Sequence, residues 1–216
     1  MDAVDGKPGL RERKKQRTHA AISDAAIALF LERGFNQVSV AEVAEAAEVS
    51  KRTLFAYFPT KEDLVVHRLA DHETELARVV RARRPGTTPL TAVREHFLAG
   101  LRERDPITGL NDHPQVLRLT RMILDAPTLV ARMDRFKAAA ERALAQALQE
   151  TADTPELTAR LAAVQIVGVR WTLAQDNADH LARGESADSR SAGAVADAEQ
   201  GFALLENGLR DLGSRH

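Results

Sequence analysis

The chain has no cysteine in its 216 residues, which excludes disulfides and thiolate metal sites. It lacks any apolar run near the roughly 18 residues needed to cross a bilayer, and residues 1–20 hold no hydrophobic segment of the kind a signal peptide needs. A cytoplasmic protein with no membrane partner is expected. Net charge is only −1, too balanced for a protein that coats nucleic acid regardless of sequence. Enzyme signatures are missing too: there is no glycine-rich phosphate loop, no Gly-x-Ser-x-Gly elbow and no histidine pair at metal-ligand spacing. The seven histidines are scattered, and His67 and His72, five apart, would not share a helix face. No enzyme, cofactor or metal is expected. Neither an internal repeat nor strand-like alternation occurs.

What is present is uneven charge and helical patterning. Residues 1–19 sum to +3 and the rest to −4, as for a small basic end on a larger neutral-to-acidic body. Within that end Arg11 to Arg17 reads RERKKQR, a candidate phosphate clamp, ahead of a helix with Ile22, Ala25, Ala26, Leu29 and Phe30 on one face that stops at Gly34. Next comes SVAEVAEAAEVSKRTLFAYF, Ser39 to Phe58. Ser39 and Glu42 form a capping-box pattern, and Val40, Val43, Ala44 and Ala47 make a narrow apolar stripe. Ser50 is a second N-cap candidate, opening a helix whose first turn carries Lys51, Arg52 and Thr53. Leu54, Phe55 and Phe58 are expected to form its buried side. Two short helices joined by a tight turn, the second beginning with donors, fit a helix-turn-helix. Thr60 is placed to cap a further helix with Lys61 in its first turn, where an anion is favoured.

With Gly34-Phe35, Ser39-Val40, Val49-Ser50, Thr53-Leu54, Tyr57-Phe58, Lys61 and Leu64 in order and at fixed spacing, Arg13 to Leu64 resembles the DNA-binding domain of the TetR family of bacterial transcriptional regulators. The resemblance implies that Lys51, Arg52, Thr53 and Tyr57 lie at the DNA surface, that Lys61 touches a phosphate and that Ser39 caps the second helix and meets the backbone. Arg17 in the basic arm and Ser50 at the start of the recognition helix complete the expected DNA-binding set. Two residues depart from the family pattern. Phe55 stands where tyrosine is frequent, removing a hydroxyl, and Glu48 stands where glycine is frequent, so the turn either avoids positive φ or tolerates strain.

Beyond Leu64 the pattern is helical, punctuated by proline and glycine. One long helix is expected from Lys61 to about Arg84. Others follow from Pro89 (Leu90, Val93, Phe97, Leu101), through Val116 to Ile123, from Pro127 (Leu129, Met133, Phe136, Ala140, Leu144) and from Leu157 to about Asp176. This last is apolar on two sides, with Leu161, Val164, Gly168 and Trp171 on one and Ile166, Val169 and Leu173 on the other. GESADSRSAG reads as a loop before a final helix with Val195, Phe202, Leu205 and Leu209. The expected fold is all-α: a flexible basic arm (1–12), a three-helix helix-turn-helix domain (13–60) and a helical-bundle ligand-binding and dimerisation domain (61–216).

The resemblance further implies a homodimer on a palindromic operator in double-stranded DNA, and a small-molecule effector that enters the body and releases the DNA. Expected ligand-binding positions are Phe97, Leu101, Leu119, Met122, Ile123, Met133, Phe136, Arg170 and Trp171. Arg121 and Arg170 each sit in an apolar helical pattern, where a buried guanidinium needs a carboxylate or an anionic ligand. His113 to Met133 also resembles TetR members with an acyl-CoA-like ligand-binding C-terminal domain. A helical protein-binding adaptor without DNA specificity and a transcriptional activator are the alternatives.

Overall fold

A computed structural model describes residues 10–67 and 70–208. Among these the regular structure is helical, with no strand. The head begins with α1 (Leu10–Arg33), whose Ile22, Ala26 and Phe30 are buried. The basic run 11–17 therefore lies in helical backbone, rather than ahead of the helix; residues 1–9 of the expected arm lie outside the described residues. Gly34 ends α1 at φ 90 and its N–H donates to the Phe30 carbonyl at 2.9 Å. A single 3-10 turn, Phe35–Gln37, leads to α2 (Val40–Ala46) and α3 (Lys51–Tyr57).

The expected long helix from Lys61 to Arg84 is not continuous. Its described parts are α4 (Asp63–Val66), α5 (Ala70–Glu73) and α6 (Glu75–Arg81). Thr74, at φ −104 and ψ 3, leaves helical geometry without a side-chain cap. Across this break Glu75 is buried and meets Arg170 of a distant helix, so a long-range ion pair coincides with the interruption.

The remaining helices are α7 (Pro89–Glu103), α8 (Pro114–Asp125), α9 (Pro127–Ala152), α10 (Glu156–Ala182) and α11 (Ala187–Asn207). Three of them start with proline at a first position that needs no N–H donor. The expected loop GESADSRSAG instead forms the start of α11. Ser186 caps it by accepting the Ser189 N–H at 3.1 Å, and the Asp112 carboxylate takes the Ala187 N–H at 2.8 Å. Arg190 then bridges Asp176 and Asp197. These local and distant partners outweigh a composition that reads as loop. Leu209 of the expected last helix lies outside the described residues.

Two buried clusters organise the molecule. The body core joins α6, α7, α9, α10 and α11 through residues such as Val80, Phe97, Leu144, Ala163 and Phe202. The head core joins Phe30, Val43, Leu54, Phe58 and Leu64, and it also takes in Ala126 and Leu129 from the α8–α9 corner. Each large apolar side chain buried this way contributes about 1.5–3 kcal/mol.

Candidate functional site

The head presents α3 by three local devices. The Ser39 hydroxyl accepts the Glu42 N–H at 3.3 Å while the Glu42 carboxylate accepts the Ser39 N–H at 2.7 Å, the capping box expected at the start of α2. Arg33 adds a 2.7 Å ion pair to the same carboxylate. The Ser39 N–H, the Ser39 hydroxyl and the Arg33 guanidinium together hold the Glu42 carboxyl down to about 2. The turn then closes as a Schellman motif, Val49 N–H to Ala44 carbonyl at 2.9 Å and Glu48 N–H to Glu45 carbonyl at 3.0 Å. Glu48 occupies its left-handed position at φ 54, so the turn tolerates positive φ without glycine. Ser50 starts α3 by accepting the Thr53 N–H at 3.0 Å, its hydroxyl lying 2.8 Å from that of Thr53.

Leu54 and Phe58 bury the inner side of α3. Phe55, expected on that side, is 48% exposed: one residue on from Leu54, the helix turns it by about 100° away from the core. Lys51 and Arg52 are exposed, with no ion pair or side-chain hydrogen bond between them and the other described residues. Arg17 is exposed on α1. Tyr57 is half-buried, edge-on to His19 with ring centroids 5.9 Å apart. Lys61 is placed differently from the rest. Its ammonium donates to the Phe35 carbonyl at 2.5 Å and sits 4.4 Å from the Phe35 ring centroid, and burial lowers its pKa. Thus Ser50, Lys51, Arg52 and Thr53 share the first turn of one helix, while Lys61 braces the end of α1.

Residues 22–67, the span from α1 to α4, match the family model described as bacterial regulatory proteins, tetR family. The chain is 32% identical over 140 residues to the HTH-type transcriptional regulator TcmR of Streptomyces glaucescens, covering 64% of this chain and 62% of TcmR. It is 28% identical over 171 residues to the HTH-type transcriptional repressor KstR of Rhodococcus jostii, covering 78% of this chain and 76% of KstR. Residues 22–67 thus carry the tetR-family DNA-binding domain. The match with TcmR takes in less than two thirds of that relative's length. The fold agrees with that of Salmonella enterica GusR, with a TM-score of 0.55 and 18% identity over 88% of this chain and 94% of GusR.

Within the helical body the expected ligand positions fall into separate groups. Phe97 and Leu101 are buried in the body core, Phe97 tilted against Phe202 with centroids 6.1 Å apart. Leu119, Met122 and Ile123 instead pack on the head core. Met133 and Trp171 are half-buried, and Phe136 is buried. An open cleft of about 410 Å³ lies between the end of α1 and α8 and takes in Met122, Arg118 and Arg121; a smaller one of about 210 Å³ takes in Phe136, Tyr57 and Arg132. Arg121, expected to need a buried partner, is exposed and lies 3.8 Å from Asp125. Arg170 does have a buried carboxylate partner, Glu75 Oε2 at 2.7 Å.

Two features escape the sequence. The head is tied to the body by Arg132 on α9, which donates to Asp63 of α4 at 2.7 Å, while within the head the buried Ser23 hydroxyl donates to the Leu64 carbonyl at 3.1 Å. A polar cluster also gathers around Glu75, drawing His72, His96 and Arg170 to one carboxylate. Its members come from four helices, and no local spacing announces it.

Proposed function

We propose that the chain is a DNA-binding transcriptional repressor that acts as a homodimer on a palindromic operator and releases it when a small molecule binds the body. The observation that carries this reading is the first turn of α3: capped by Ser50, braced by a closed head core, and offering Lys51 and Arg52, exposed and free of ion pairs among the described residues. A capped helix with exposed donors at its start is the element that enters a major groove, where arginine and lysine read guanine edges. KstR is named a repressor, which favours repression over activation.

The homodimer reading rests on α10 and α11. Leu157, Leu161 and Val164 of α10 are 66%, 55% and 51% exposed, and Val195 and Leu204 of α11 are exposed as well. At spacings of four and three they form one apolar stripe on a helix about 40 Å long. The same face of a second copy covers it, and the two-fold axis sets two α3 helices roughly 34 Å apart for successive major grooves. Effector response runs through the Arg132–Asp63 pair and the Ala126–Leu129 corner, so a ligand that shifts α8 or α9 moves the head. Family-scale coupling of about 1–3 kcal/mol suffices.

The test is fluorescence anisotropy of the full chain against DNA from upstream of its own and adjacent genes. Tight binding to a palindrome, with affinity falling steeply as salt rises, is expected. Equal binding to every duplex, or none, would favour the adaptor reading. A thermal-shift screen of hydrophobic and acyl-CoA-type compounds then seeks the effector, with hits expected to lower DNA affinity.

A further inference from the structure

Glu75, at the start of α6, is buried, and its two oxygens are shared among three cationic or donor side chains. Oε1 lies 3.1 Å from His72 Nδ1 on α5 and 3.2 Å from His96 Nε2 on α7, while Oε2 takes the Arg170 guanidinium of α10 at 2.7 Å. Asp105, in the turn after α7, brings a second carboxylate: donor atoms of His72, Glu75 and Asp105 all lie within 4.8 Å of one another. Arg170 Nε is buried and has no hydrogen-bond partner. The cluster sets two carboxylates and two imidazoles around one permanent cation, Arg170.

We propose that His72, Glu75 and Asp105 bind a first-row divalent metal ion of the zinc, cobalt or nickel kind. Two ligand atoms at bond lengths of about 2.0–2.1 Å around a tetrahedral ion lie roughly 3.3 Å apart, close to the 3.1 Å between His72 Nδ1 and Glu75 Oε1. One imidazole nitrogen and two carboxylates, with no thiolate, suit borderline divalent ions. His96 and Arg170 act as outer partners, orienting Glu75 from either side while it ligates through Oε1, the role such hydrogen-bonding neighbours play at metal centres. Asp105 is held in place independently, since its Oδ1 accepts the Ile107 N–H at 3.1 Å. The ion would pin α5 and α6 to the end of α7 across the break at Thr74. This inference does not depend on DNA binding.

Tag-free full-length protein, stripped with EDTA and titrated with Co²⁺ alone, tests it. One ion per chain, with the visible bands of low-coordinate cobalt, is expected, together with a rise in Tm on Zn²⁺ addition that EDTA reverses, because the ion binds the folded state. His72→Ala and Asp105→Asn should abolish the bands; asparagine can still cap the turn, so the second variant removes the charge and keeps the fold. His96→Ala should weaken binding by roughly 10–100-fold. The exposed group of His180, Asp176 and Glu185 is the control, and His180→Ala should bind cobalt like the parent. Absence of stoichiometric binding, or binding lost in His180→Ala and kept in His72→Ala and Asp105→Asn, overturns the proposal.

Discussion

At the scale of single residues, the head is shaped by side chains that satisfy backbone groups. Glu48 is the costly one. A non-glycine residue in the left-handed region loses about 1–2 kcal/mol to its Cβ, and Glu48 sits there at φ 54. Glu48→Gly should therefore be more stable than Glu48→Ala by about 1 kcal/mol in urea unfolding, an ordering opposite to that for a helix interior. Glu42 makes a pH-dependent contribution. Its folded pKa, about 2, lies below the ordinary value of 4.5, so the stability it adds is fully present above the unfolded value and lost as pH falls towards 2. Urea midpoints should show Glu42→Gln destabilised at pH 6 and converging on the parent below pH 2. For DNA, Arg52→Ala should relax preference at particular base pairs by about 1–3 kcal/mol if its guanidinium reads an edge. Equal losses in anisotropy on every sequence would make it a backbone contact instead.

At the scale of elements, the turn Pro106–Thr108 and α10 approach one another closely. Gly109, at φ 72, leaves so little room that a Cβ would lie 1.9 Å from the Ala174 carbonyl oxygen, and the buried Asn177 amide donates to the Thr108 carbonyl at 3.0 Å. Gly109→Ala should cost about 3 kcal/mol or more and lower Tm sharply, since both the backbone clash and the positive φ oppose it. Elements with local causes were legible in the chain: the Ser39 box, the Ser50 cap and the proline starts of α7, α8 and α9 all depend on residues within a few positions. The break at Thr74 and the start of α11 were not: the first coincides with a bond from Arg170 to Glu75, and the second is held by Asp112 and Arg104, all elsewhere in the chain. The same distinction divides the sites. Lys51 and Arg52 are exposed by the pitch of one short helix, whereas in the Glu75 cluster Glu75 is bonded to Arg170, 95 positions away. Lys61 stands between these cases: its place after Phe58 is local, but its bond to Phe35 requires the closed head.

At the scale of the whole molecule, the proposed homodimer rests on the exposed stripe of α10. Leu161→Asp puts a carboxylate in the middle of it and should shift sedimentation from dimer to monomer, weakening association by about 100-fold or more, while circular dichroism stays helical. DNA affinity should fall with it, since a monomer reaches one half-site only. A dimer unaffected by this change would place the interface elsewhere. The junction between head and body has a different consequence. Ala126 and Leu129 of the α8–α9 corner fill the same buried cluster as Phe30, Leu54 and Leu64, so the head is not a cassette that can be lifted away near residue 60. A chimera joining this head to a different helical body would leave a hole where the corner had been, or clash with whatever replaced it. Engineers building hybrids from this chain, like lineages exchanging segments by recombination, must carry the corner along with the head.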